Sequence, residues 1–170
     1  MAVQDEVTWV LETIRENWPG DWPTEDGTDR LYRVNRDDPV ILETGERTKS
    51  VELSRATALG VSEGSRSPEP VGTEYDHRVT TTLDCRLEGL VDDEWGHLES
   101  ATDAKQLALY AIHALQKERS YPTVDPDAGD IGRVEYHSLF TDDATNRSQE
   151  HADHFFWTWE VRLVGYETLP

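Results

Sequence analysis

Histidines are the first residues to ask about chemistry, and "HADH" at 151–154 groups two of the six. His151 and His154, three apart with Asp153 between them, would offer zinc two ligands from one face of a helix. The segment instead sits where a strand begins, and it has neither a HExxH frame nor cysteine partners. His77 beside Asp76, and His97 after Gly96, stand isolated. Cys85 is the single cysteine, which excludes an internal disulfide and a thiolate-rich zinc site. It falls among alternating apolar residues and reads as a small core residue, not a nucleophile. The carboxylate pairs Asp37–Asp38, Asp92–Asp93 and Asp142–Asp143 read as solvated turns in so acidic a chain. There is no GxSxG elbow, no phosphate-binding glycine loop and no dinucleotide fingerprint. These residues imply no catalytic set, no metal site and no cofactor: the chain does not read as an enzyme.

The elements that would position any site are clearer. Residues 5–17 carry Val7, Val10, Leu11, Ile14 and then Trp18 on one stripe, which predicts a helix capped by Asp5 and stopped by "WPGDWP". Trp9 falls opposite that stripe, as an isolated surface residue or an interface anchor. Short strands are expected at 30–35, 39–44 and 47–54. The Gly/Ser/Pro-rich segment 60–74 reads as a loop. In 77–90, Val79, Thr81, Leu83, Cys85 and Leu87 alternate with Arg78, Thr80, Thr82, Asp84, Arg86 and Glu88, a long half-polar strand. Residues 101–119 give the clearest helix, with Asp103 in its first turn and Lys117 and Arg119 in its last. Its apolar arc, Ala104 to Leu115 with Leu109 and Tyr110 past the edges, is wider than one sheet needs. Either the helix is deeply buried or it meets a second surface, such as another subunit. Strands are expected at 131–140 and 154–167, with a polar loop at 141–153 between them. In the last strand Phe155, Trp157, Trp159, Val161 and Leu163 share one face, and Thr158, Glu160 and Arg162 the other. This order predicts a single α+β domain over 1–170: a mostly antiparallel sheet, two main helices on one face, and long loops.

Charge is the dominant global property. The chain has 35 Asp and Glu against 16 Lys and Arg, a formal net charge of −19, and only three of the cations are lysine. Such a surface repels itself in dilute buffer. In molar salt the screening length falls to about 3 Å and the repulsion largely disappears, so the composition suits a salt-rich cytoplasm. The absence of a Lys/Arg cluster argues against binding phosphates of nucleic acid. No apolar run approaches the roughly 18 residues that span a bilayer, and the N-terminus lacks a signal-peptide pattern.

Three fragments together carry a resemblance: "GTEYDHRV" running into "CRLEGL…EWGHL", the helix ending "LQKERSYPTV", and the terminal "FWTWEVRLVGYETLP". Over roughly 5–168 they resemble small proteins of tailed viruses and proviruses of halophilic archaea. The arrangement is similar to the tail terminator or tail-completion proteins of long-tailed phages. That resemblance implies a virion structural protein, assembled in the host cytoplasm as a ring of identical copies, usually six. The ring would sit at the head-proximal end of the tail tube, with the tube protein and a neck protein as partners. A ring subunit needs two opposed contact surfaces. Trp9, Leu109 and Tyr110, and the polar face with Thr158, Glu160 and Arg162, are the candidates. A head–tail adaptor or stopper of the neck is the alternative. A metal-dependent enzyme using His151, Asp153 and His154, and an acidic DNA mimic, are more remote ones.

Overall fold

The computed structural model describes residues 2–3, 5–22, 30–34, 57–90, 101–125, 133–148 and 154–168. The strands are β1 (Ala2–Val3), β2 (Leu31–Arg33), β3 (Ala58–Val71), β4 (Thr73–Leu90), β5 (Thr123–Val124), β6 (Arg133–Thr141), β7 (Thr145–Asn146) and β8 (His154–Thr168). The helices are α1 (Glu6–Asn17) and α2 (Ala101–Lys117). One sheet runs β1-β5-β6-β8-β4-β3-β2, with β7 beside β8. The central pairs β3–β4, β4–β8 and β6–β8 are antiparallel, whereas β1–β5 and β2–β3, at the two margins, are parallel. The α+β architecture expected from the sequence is the one observed.

Alternation explains the long central strands. Val79, Leu83, Cys85 and Leu87 of β4 and Trp159, Val161 and Leu163 of β8 point to one side, where they join the hydrophobic core under the two helices. The polar residues between them face the opposite side. Asp5 caps α1, accepting a hydrogen bond from the Thr8 amide at 2.8 Å, and it also pairs with Arg33 of β2. Trp18 already has extended backbone, and Gly20 at φ 114° turns the chain away, so α1 stops where expected.

The structure corrects four readings. Residues 60–74 are not a loop: β3 runs through them and pairs with β4 from Ala58↔Glu88 to Val71↔Thr73. Glycine and proline mark an edge strand here. Among the described residues no strand pairs β3 beyond Val61, so Pro68 and Pro70 can turn their nitrogens outward without breaking the ladder. Gly64 sits at the irregularity between Glu63 and Ser65, where a Cβ would lie 2.6 Å from the Thr82 carbonyl oxygen. An edge short of two amide donors resists further strand addition. The turn itself is at Gly72, φ 79°. The polar stretch 141–153 is likewise partly ordered pairing, since β7 joins β8 through Thr145↔Thr158 and Asn146↔Trp157.

Trp9 is the third correction. It is 8% exposed and belongs to the main core, because α1 is packed on two sides, against α2 and against β2 and β3. The fourth concerns α2. Its wide arc is covered within the chain by α1 together with β4 and β8, and Ala104, Ala108, Ala111, Ala114 and Leu115 are fully buried. Alanines let two helices approach closely, so the apparent surplus needs no second molecule. Leu109, 38% exposed, remains outside that contact. The expected strands at 39–44 and 47–54 lie outside the described residues.

Candidate subunit interface

Both helices contact strands on the core side; among the described residues, no helix covers the other face of the sheet. Thr158, Glu160 and Arg162 of β8 lie on that open face, in register with Arg86, Asp84 and Thr82 of β4. A cavity of about 430 Å³ opens there, lined among others by Ser62, Asp84, Asp142, Arg147, Thr158 and Glu160.

Electrostatically this floor is under tension. Asp84 and Glu160 are direct cross-strand neighbours, and like charges in that position destabilise a sheet. Arg162 donates to Asp142 Oδ1 at 3.1 Å, and Arg86 is directed to Tyr32 and Glu88. The Arg162 charge still reaches Glu160 and lowers its carboxyl in part. Burial raises the Asp84 carboxyl above its ordinary range. Glu160 is raised too, first by its hydrogen bond with Asp142, then by burial and by the charges of Asp84 and Asp142. A carboxyl raised in the folded state contributes most below its unfolded pKa, and that contribution is lost as pH rises through the folded value. Stability from this pair therefore falls on going from acid to neutral pH. Asp84→Asn should raise the melting midpoint at pH 7 by about 1–2 °C and leave it unchanged in acid, which a pH series of thermal melts checks.

Two large aromatics stand on the same face. Phe140 is 50% exposed, with the Arg162 guanidinium 5.7 Å from its ring centre. Tyr166 is 52% exposed and lies 5.2 Å from the His137 ring. In the sequence Phe140 alternates in phase with Val134 and Tyr136, but the irregularity between Tyr136 and Ser138 turns it to the opposite face from those two buried residues, beside Arg162.

The helix candidates divide. Leu109 lies on the outward side of α2. Tyr110 is half-buried in an aromatic group of its own chain, edge-on to Trp18 at 5.9 Å, with Trp18 stacked on Trp22 at 4.9 Å. Cys85 is buried and its thiol is pushed up by burial and by Asp84, as befits a core residue. Among the described residues no group of three or more His, Cys, Asp or Glu could hold a metal. His151 and Asp153 lie outside the described residues, and for His154 only its place at the start of β8 is described.

At the other end of the open face the sheet is closed. Glu88 is fully buried and accepts from the Tyr32 hydroxyl at 3.2 Å; Arg86 Nε lies 3.6 Å from its other oxygen and donates to the Tyr32 hydroxyl at 3.1 Å. Tyr32 fits because its registered neighbour is Gly60, where a Cβ would lie 2.6 Å from the tyrosine ring. No helix of the described residues is long and apolar enough to cross a membrane. No protein-family model and no curated protein matches the chain. Among solved structures, a chain of the "Virion of native gene transfer agent (GTA) particle" aligns with a TM-score of 0.46 at 15% identity, over 93% of this chain and 91% of that one. That likeness is too distant to carry a function across.

Proposed function

We propose that the chain is a virion structural subunit, a tail terminator that closes with identical copies, six of them, into a ring between tail tube and neck. One observation carries the assembly part of the reading. A sheet with both helices on one side leaves its other face uncovered among the described residues, and that face presents Phe140 and Tyr166, each about half exposed. Half-exposed aromatics beside arginine are the side chains that interfaces favour. Pro68 and Pro70 blunt the β3 edge, so neighbours meet through side chains and not by extending the sheet. The virion part rests on the sequence resemblance carried by 72–79, 85–98, 115–124 and 156–170. A net charge of −19 suits a channel that must not hold the phosphates of a passing genome.

The experiment is electron microscopy of the purified protein in concentrated salt, paired with sedimentation at several protein concentrations. Annular particles of uniform size are the expected result. A protein that sediments as a monomer at every concentration and salt level would overturn the reading.

A further inference from the structure

We propose that the outward stripe of α2, formed by Lys105, Leu109, His113 and Lys117, docks on the open sheet face of a second copy and seats one of its two lysines against Asp84 and Glu160. The inference rests on the ring reading and names the two unlike surfaces that a head-to-tail contact requires.

Charge complementarity is the argument. The chain holds three lysines in all, and two of them are on this helix, spaced with Leu109 and His113 at intervals of four residues. All four side chains are exposed. The helix has one carboxylate, Asp103, half-buried in its first turn. Glu118, just past its end, is half-buried and accepts from the amides of Arg119 and Ser120, which takes it out of the stripe. A chain of net charge −19 thus shows one locally basic strip about 18 Å long, at about 1.5 Å per residue.

The open face supplies the complement. Asp84 and Glu160 face one another across β4 and β8, and the nearest arginines are engaged elsewhere, Arg162 with Asp142 and Arg86 with Tyr32 and Glu88, so the Arg162 charge offsets the repulsion at Glu160 only in part. Asp143 and Arg147 line the same cavity. An ammonium arriving from outside relieves the cross-strand repulsion, and the cavity of about 430 Å³ is larger than a lysine side chain. Leu109 supplies the apolar contact, and Phe140, on the same sheet face as Glu160, supplies a partner for it. A nucleic acid is the poorer occupant of the stripe, since the net charge of the chain repels a polyanion.

A charge-swap experiment tests this. The helix variant carries Lys105→Glu and Lys117→Glu; the face variant carries Asp84→Lys and Glu160→Lys. Near-UV circular dichroism establishes that each is folded, and Glu160→Lys alone replaces the face variant if the double change is not. Each variant by itself should associate at least about a hundredfold more weakly than the wild type, read by sedimentation. Mixed in equal amounts they should assemble again, because each then offers the surface the other lacks at both contacts. Assembly of either variant alone at wild-type strength overturns this inference and leaves the ring reading standing, as does a mixture that stays dissociated. A wild type that is monomeric throughout overturns both.

Discussion

Gly165→Ala should lower the stability of the protein by about 3 kcal/mol, and Gly165→Val should leave no cooperative native state. A Cβ at this position would lie 2.3 Å from the Glu135 carbonyl oxygen and 2.7 Å from the Tyr136 Cα. Both are backbone atoms of β6, so no rotamer change makes room. Nor can β8 slide away, because it is laddered to β4 along its whole length, from Asp76↔Thr168 to Leu90↔His154. The close approach is tied to the irregularity between Tyr136 and Ser138, where β6 gains a residue relative to β8. Relief therefore means breaking one ladder at the centre of the sheet. Urea unfolding in concentrated salt measures the loss; for a chain of this size it corresponds to a midpoint about 6–12 °C lower. Gly20→Ala is the control: its φ is also unusual, 114°, but nothing lies within 4 Å of the added atom. That change should cost about 1 kcal/mol. Equal losses at the two positions would show that conformational freedom, and not the crowding by β6, is what Gly165 supplies.

Much of this fold was legible because periodicity reports which side of an element is buried. The alternation of 79–87 and 157–163 gave two central strands, and the cap and stop signals of α1 stand within a residue of where the chain bends. The failures have one physical origin: local pattern does not say what lies next to an element. Trp9 looked superfluous on a helix imagined against a single surface, yet α1 is wedged between a helix and a sheet. The arc of α2 looked too wide for the same reason. Residues 60–71 failed differently. Serine, glycine and proline lower strand propensity wherever both edges must pair, but among the described residues β3 pairs on only one edge past Val61, and there those residues are tolerated.

The candidate surface was half legible. Thr158, Glu160 and Arg162 share the open face as the alternation implied, and Leu109 is exposed on α2. What the pattern could not show was pairing across strands. Asp84 opposite Glu160, and Phe140 near Arg162, are neighbours by register, set by turn positions and bulges far from them in sequence. Register also separates two glutamates that look alike in the sequence: Glu88 and Glu160 both occupy polar phases of their strands. One is sealed beneath Tyr32 and Arg86, the other is exposed.

That sealed glutamate should be a highly sensitive polar position among the described residues. Glu88→Ala should cost about 3–5 kcal/mol, since it removes the buried carboxylate that both the Arg86 guanidinium, whose side chain is only 16% exposed, and the Tyr32 hydroxyl address. Glu88→Gln keeps one acceptor in place and should cost about 1–3 kcal/mol, for the lost charge and for an amide donor where the second oxygen stood. Replacing the group together, Glu88→Leu with Arg86→Met and Tyr32→Phe, should restore most of the stability, because no buried polar atom of the three is then left over. Alkali supplies an independent check. Burial, and then the Glu88 charge, raise the Tyr32 hydroxyl well above the ordinary tyrosine range. A group raised on folding stabilises fully below its unfolded pKa and loses that contribution as pH rises through the folded one. The wild type should accordingly weaken as pH climbs past the ordinary tyrosine value, and Tyr32→Phe should weaken less steeply over the same range. A Tyr32→Phe protein whose melting midpoint falls with alkali as steeply as the wild type's would place the titrating group elsewhere, Tyr136 first, since its hydroxyl is raised by burial and by its hydrogen bond to Glu6.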